Sequence, residues 1–386
     1  MPEPAQQPAR LTWSWFPLVQ RPRPPALPLK VRVDELTGLT AKLAQGGQAS
    51  LAAEICNKAA LIASDCGVSE LARDLCWRQH HLLTHSMPLT AQMADLASQP
   101  LLNLARQHIR DGEPDTAYAM LQSLYHAAQE QADITIGGHR VSMSAITSGH
   151  DSHRIVCTRL WTAFIADGTR ALAQAGRWRD AAEHAALHRG VGTRLLDGRQ
   201  AAIIALLHEG NIAEAIRLTQ DSAAEQTWER AVKQLLRAAC LSIDQTATQS
   251  GTDMLASLHE LLESASPWTA VFCTRAAIFA HDLADSARQP STFVSKLGSV
   301  ASMDARAACD ALHRPCLRSA IAPSQREQLT TAIEVSGIGV RRIPEPARRA
   351  MLASVSKAET RLRSVAVEDL PVVLRCCTGS GGRDKQ

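Results

Sequence analysis

Apolar residues recur every three or four positions along most of this chain, the period of an amphipathic helix. Leu51, Ile55, Ala59, Ala60 and Ile62 form one such stripe ahead of Gly67. From residue 34 onward the text reads helix, short turn, helix. Asp34 is placed to cap a helix ending at Gly46-Gly47, and Ser69 to cap one running from about Glu70 to Leu83. The strand period of two is rare. Asp133-Ile134-Thr135-Ile136 and His139-Arg140-Val141-Ser142-Met143 flank Gly137-Gly138, and predict a β-hairpin at 134–143. A lone hairpin is marginal, so this one must lean on helices. It is either a binding edge or a decorated loop.

The two ends of the chain depart from this pattern. Eight prolines fall in residues 1–31, so this arm is expected to be disordered or loosely docked, because proline lacks the donor that helices and strands use. Its aromatic cluster Trp13-Ser14-Trp15-Phe16 suits an arm folded back on a helical body, or one that docks a partner. Past Glu225, helical text continues at 226–242, 253–265, 267–286, 303–314, 323–335 and 345–366, with turns marked by Gly251, Pro290, Pro315 and Pro344. The expected organisation is an arm (1–31), a helical domain (32–242), a C-terminal helical region of degenerate repeats or a cap (243–377) and a flexible tail (378–386).

One short pattern recurs four times between amphipathic stretches: a Gly, four residues, then an Ala. The pairs are Gly67 with Ala72, Gly112 with Ala117, Gly176 with Ala181, and Gly210 with Ala215. Gly ends the first helix in a left-handed conformation, and Ala lets the second pack close to it. The clearest copies run from Leu101 through Gly112 to Leu121 and from Ala201 through Gly210 to Leu218. Over roughly residues 50–225 this arrangement resembles the tetratricopeptide repeat, and the last two copies stand at that family's spacing of 34 residues. The resemblance implies an all-α fold of helix pairs in a superhelical array, with the hairpin as an insertion.

Composition agrees. Aromatic residues are only 4%, and the apolar content leans on Ala and Leu, which favour helices over strands. Arg outnumbers Lys 34 to 7, the mark of a high-GC, bacterial coding bias. With 41 basic and 38 acidic residues, charge gives no case for direct nucleic-acid or membrane binding. No charged n-region followed by an apolar stretch is visible, and the longest apolar run, Ala201 to Leu207, is short of a membrane span, so a cytoplasmic location is expected. The ten cysteines lack C-x-x-C pairs and sit mostly in helical stripes, as reduced small hydrophobes.

No sequence motif announces chemistry. A phosphate-binding loop, a nucleophile elbow, a zinc-protease motif and a kinase signature are all missing, and Gly337-Ile338-Gly339 is too short for a dinucleotide fingerprint. His139, His150, Asp151, His153 and Cys157 lie within 19 residues, and His139, His153 and Cys157 are weak candidates for a metal. Asp151 as a helix cap and Cys157 as core explain the same text, so no metal and no cofactor is expected. In His80-His81, neighbours about 100° apart on a helix, one ring is expected to be exposed and one partly buried. Arg341-Arg342 and Arg348-Arg349 are interrupted by acids and read as a solvated face.

The function expected is that of a scaffold or adaptor that binds another protein or a peptide in a concave groove. The reading leans against an enzyme. A regulatory subunit in signalling or transcription control, an enzyme or accessory protein with a site no motif reveals, and a homo-oligomer remain open. In the family resembled, groove residues come from the first helix of each pair. Counting back ten, nine and six residues from each Gly gives Asn57, Lys58 and Leu61; Leu102, Asn103 and Arg106; Asp167 and Arg170; and Gln200 and Ile204. Asn can hold a peptide backbone with both donor and acceptor, and Lys or Arg a carboxylate.

Overall fold

The computed structural model describes residues 13–46, 48–85, 88–243, 250–283 and 291–368. Among these the chain is mostly helical. In order come α1 (Leu29–Ala44), α2 (Ala49–Asp65), α3 (Ser69–Leu83), α4 (Ala91–Arg110), α5 (Pro114–Glu130), β1 (Ile134–Ile136), β2 (His139–Val141), α6 (Met143–Ile146) and α7 (His150–Gln174). They are followed by α8 (Trp178–Leu187), α9 (Asp197–His208), α10 (Ile212–Gln220), α11 (Thr227–Ile243), α12 (Ser250–Glu263), α13 (Ala270–Leu283) and α14 (Ser291–Ala301). The last four are α15 (Ala305–Leu312), α16 (Pro315–Ala320), α17 (Pro323–Ser336) and α18 (Glu345–Glu368). No helix among the described residues is long and apolar enough to cross a membrane.

The four Gly turns share one geometry. Gly67, Gly112, Gly176 and Gly210 have φ of 74°, 80°, 74° and 77°. The next residue (Val68, Glu113, Arg177, Asn211) donates its N–H to the carbonyl five positions back, at 2.8–2.9 Å. Its own carbonyl then accepts from the Ala that completes the motif, at 2.9–3.1 Å. Each turn thereby satisfies orphan groups of both helices. Ala72, Ala117, Ala181 and Ala215 are all fully buried. A Cβ added at Gly112 meets nothing within 4 Å, so Gly112→Ala isolates the backbone term. It should cost about 1 kcal/mol, read as a lower urea midpoint with unchanged slope.

The hairpin is present, with Ile134 opposite Val141, Thr135 opposite Arg140 and Ile136 opposite His139. Gly137 and Gly138 both take positive φ, as a two-residue turn demands. β1 packs against α5, and Val141 is fully buried.

Several local expectations need correction. Asp34 caps nothing: α1 starts five residues earlier, and Asp34 pairs with Lys30 one turn back at 2.6 Å. Ser69 begins α3 rather than capping it, and its hydroxyl donates to Asp111 Oδ1 at 2.8 Å. Asp151 lies inside the first turn of α7. Gly251 is inside α12, and Pro315 is the first residue of α16, where its missing N–H costs nothing. Helix α14 lies outside the stretches expected to be helical, and it carries Gly298 in its interior. There the glycine makes room: a Cβ would stand 2.4 Å from the Gln325 side chain. The marks at Gly47, Pro290, Cys376 and Cys377, and the tail at 378–386, lie outside the described residues.

The chain forms two compact units, neither continuous in sequence. The first unit takes Met1–Pro28 and Gly168–Ile338, the second Leu29–Asp167 and Gly339–Gln386. These divisions do not coincide with the break at 242 suggested by the fading repeat. In the second unit α18 packs on α1, α2 and α3. Its approach is fixed by Gly339 N–H on Asp65 O at 2.9 Å and Arg341 N–H on Cys66 O at 2.7 Å. Met351, Val355, Ala358 and Leu362 of α18 join a core containing Leu36, Ile55, Leu75, Leu101 and Phe164. In the first unit the described part of the arm, residues 13–28, is docked. Phe16, Leu18 and Ala26 are buried, and α1 begins at Leu29, inside the span expected to be disordered or loosely docked.

Candidate functional site

The second unit holds a groove of about 540 Å³ between α2 and α4. From α2 it is lined by Ser50, Ala53, Glu54, Asn57, Lys58, Ala60 and Leu61, one face of the helix. From α4 come Leu96, Gln99, Leu102, Asn103, Arg106, Gln107 and Arg110, and from α7 Arg159. The six residues counted back from the first two Gly turns thus line one groove. Ala53, Ala60 and Leu102 give it a buried floor, and the longer polar side chains form its rim.

The rim is cross-linked. Asn103 Nδ2 donates to Asn57 Oδ1 at 3.1 Å, and Arg106 Nη1 to Asn103 Oδ1 at 3.4 Å. Arg106 Nε donates to Asp167 Oδ2 at 2.8 Å. Lys58 Nζ reaches Glu35 at 2.8 Å, and Arg159 makes a two-point pair with Asp95, its Nη2 on Oδ2 at 2.6 Å. Arg110 donates to Ser64 Oγ at 2.9 Å. The groove lining therefore has Lys58, Arg106, Arg110 and Arg159 against the single acid Glu54, while the acids paired with Lys58, Arg106 and Arg159, namely Glu35, Asp167 and Asp95, are not among its lining residues.

Helix α3 backs both lining helices through polar pins. Gln79 Nε2 donates to Ala53 O of α2, and the buried His80 ring bonds Ala97 O of α4 at 2.9 Å. Gln107 Nε2 donates to Ala72 O of α3 at 3.3 Å, while its Oε1 is buried without a partner. Burial pushes the His80 ring down to about 4, with His81 and His139 nearby adding to the effect. The ring is therefore neutral and donates from Nδ1. His81 is exposed, so the adjacent pair divides into one buried and one exposed ring.

Asp167 is buried and supports Arg106 instead of facing a ligand. In the first unit Arg170 Nε holds Asp197 at 3.4 Å, and its Nη2 donates to Val19 O at 2.9 Å. Gln200 and Ile204 are corrected: both are fully buried, Gln200 donates to Leu195 O at 2.6 Å, and neither reaches a surface. Sequence counting missed Arg110, Arg159 and Gln99. The spacing Gln99, Asn103, Arg106, Arg110 on α4 was a signal for one polar face that could have found two of them.

The metal candidates do not come together. His139 stacks on Trp77 with centroids 4.2 Å apart, and His153 Nε2 bonds Ala128 O at 3.0 Å. The Cys157 thiol is raised by burial. No three His, Cys, Asp or Glu side chains among the described residues are placed to hold a metal ion. The cysteines with described side chains are free, and burial pushes Cys56 and Cys76 up to about 12, which keeps them protonated.

Fold and site together describe a mostly helical chain of repeat-like character that carries an open, polar-rimmed groove among its described residues. In comparisons with protein-family models, curated proteins and solved structures, nothing matches this chain.

Proposed function

We propose that the groove of the second unit binds a segment of another polypeptide, and that the chain acts as a tetratricopeptide-like interaction module. The observation that carries this reading is the convergence of Asn57, Lys58, Leu61, Leu102, Asn103 and Arg106 on one groove from the first helices of two successive pairs. An apolar floor accommodates side chains. Asn amides and guanidinium edges around it match the donors and acceptors of a peptide backbone and its carboxylates. In the same reading the helix pairs follow the superhelical stacking of that family.

The test begins with a pull-down using the full chain, followed by calorimetry on the partner identified. Arg106→Glu should weaken binding about 10- to 100-fold, through loss of a charge-assisted hydrogen bond and gain of repulsion. It also removes a salt-bridge partner of the buried Asp167, so Lys58→Glu, whose paired acids are exposed, separates binding from folding. Lys58→Glu should weaken the same partner about 10-fold with an unchanged melting temperature. The control Glu183→Lys, on α8, should leave affinity within about two-fold. Equal binding by wild type and both groove variants would show that the partner does not use this groove.

A further inference from the structure

Residues 13–28 contain five prolines and form no element beyond one 3-10 turn at Trp13–Trp15. They are nonetheless gripped along their length by the helices of the first unit. Trp13 packs on Phe279 with centroids 5.2 Å apart and edge-on to Trp178 at 6.3 Å. Phe16 meets Phe279 edge to face at 5.0 Å. Trp15 lies beneath two cations, Arg314 at 5.4 Å and Arg275 at 5.8 Å, each held by an acid, Asp282 and Asp310.

The backbone is held in the same way. Val19 O accepts from Arg170 at 2.9 Å, and Pro24 O from Arg306 at 2.7 Å. Ala26 N–H donates to Asp304 Oδ2 at 3.0 Å, and Arg23 N–H to Trp268 O at 3.1 Å. Arg21 reaches Asp197 at 2.5 Å. Side chains borne by the helices and their caps thus satisfy Val19 O, Pro24 O and Ala26 N–H, with aromatic anchors in apolar seats and a stiff proline-rich backbone between them. That is how proteins recognise an extended peptide ligand, and it differs from how an element joins a core. Arg170, one of the counted groove positions, spends one of its donors on this segment.

We infer that the cleft of the first unit lined by α7, α8, α9, α13 and α15 is a recognition site for an extended, proline-containing segment with two aromatic side chains three residues apart and an arginine five further on, that residues 13–27 fill it in cis, and that such a segment of another polypeptide takes their place. The chemistry demanded is specific. The aromatic pair needs the Trp178–Phe279 seat, and the arginine needs the nearly buried Asp197 carboxylate. A tethered arm competes at an effective concentration in the millimolar range, so the site in the intact chain is masked from weak ligands and open to strong ones.

The test uses the full chain and a labelled synthetic peptide of residues 13–28, read by fluorescence anisotropy. The variant Trp13→Ser/Phe16→Ser, with its arm released, should bind this peptide about 30-fold or more tighter than wild type, and should not bind a scrambled peptide of the same composition. A folded variant that binds the peptide no better than the scrambled one overturns the inference. Should the variant not fold, wild-type amide exchange decides. The Arg23 and Ala26 amides should exchange faster than those of α9 and α13, and faster still with excess peptide. Arm amides as slow as those helices, and indifferent to peptide, would make the arm a fixed part of the core and end the proposal.

Discussion

Replacing Glu229 with alanine is expected to destabilise the first unit by about 3 kcal/mol. The side chain is fully buried at the third position of α11. Its Oε2 accepts the N–H groups of Glu225 and Gln226 at 2.9 and 3.0 Å, two donors just ahead of the helix. Its Oε1 accepts Arg194 twice, at 2.9 and 2.7 Å, and so ties the loop before α9 to the start of α11. Alanine would leave two amides and a guanidinium without their acceptor. Arg194 is 43% exposed and can turn to water, which keeps the loss below that of a fully buried pair.

The acid dependence has a definite sign. Burial pushes the Glu229 carboxyl up, but the two amides and Arg194 outweigh it and hold it below the ordinary 4.5. The unfolded chain therefore takes the proton first. The stabilisation is complete above the ordinary value and is lost as pH falls through the folded one. Urea midpoints at pH 7 and below pH 4.5 check both points: Glu229→Gln should flatten this part of the acid loss, and a Glu229→Ala shift below about 1 kcal/mol would disprove the assignment.

The second unit should weaken earlier as pH falls, through His80. Its folded value near 4 lies below the ordinary 6.5, so the unfolded chain binds the proton first here as well. The contribution is intact above 6.5 and declines down to about 4, by about 3 kcal/mol in all. His80→Gln should remove that slope while leaving the carboxylate-driven loss at lower pH. The affected bond joins α3 to α4, the helix that carries Leu102, Asn103 and Arg106, so groove binding should weaken in the same window. An NMR titration showing His80 protonated near pH 6 would remove the basis for this expectation.

Much of the local structure was legible because it is decided by a few adjacent residues. The four Gly turns required only a residue that tolerates positive φ, placed after an apolar stripe, and all four have the predicted conformation. The hairpin required only two β-rich stretches around Gly137-Gly138. Six of the fifteen residues lining the groove followed from the same turns, since counting back a fixed number of residues on a regular helix lands on one face. The method broke down at the third and fourth copies: Asp167 is buried and Arg170 holds Asp197 and Val19 O, so neither lines the groove. Gln200 and Ile204 satisfy the count, but α9 is packed by α8, α10 and α11, so the counted face is core.

The helical class, the Gly–Ala turns and the hairpin were determined by sequence alone, because backbone sterics and a period of 3.6 or 2 act within a dozen residues. Tertiary structure decided where those elements are spent. Nothing local tells α18 to close on α1, α2 and α3 from more than 250 residues away; summed apolar burial and two backbone bonds at Asp65 and Cys66 do. Likewise the prolines of the arm disfavour a helix or strand there but say nothing of a seat. The seat exists because Trp178, Phe279, Arg275 and Arg314, far apart in the chain, are brought to one side of the first unit. Arg106 belongs to both levels. Its place on the groove face is helical arithmetic, while its pairing with a buried Asp167 depends on which helix lies beside it.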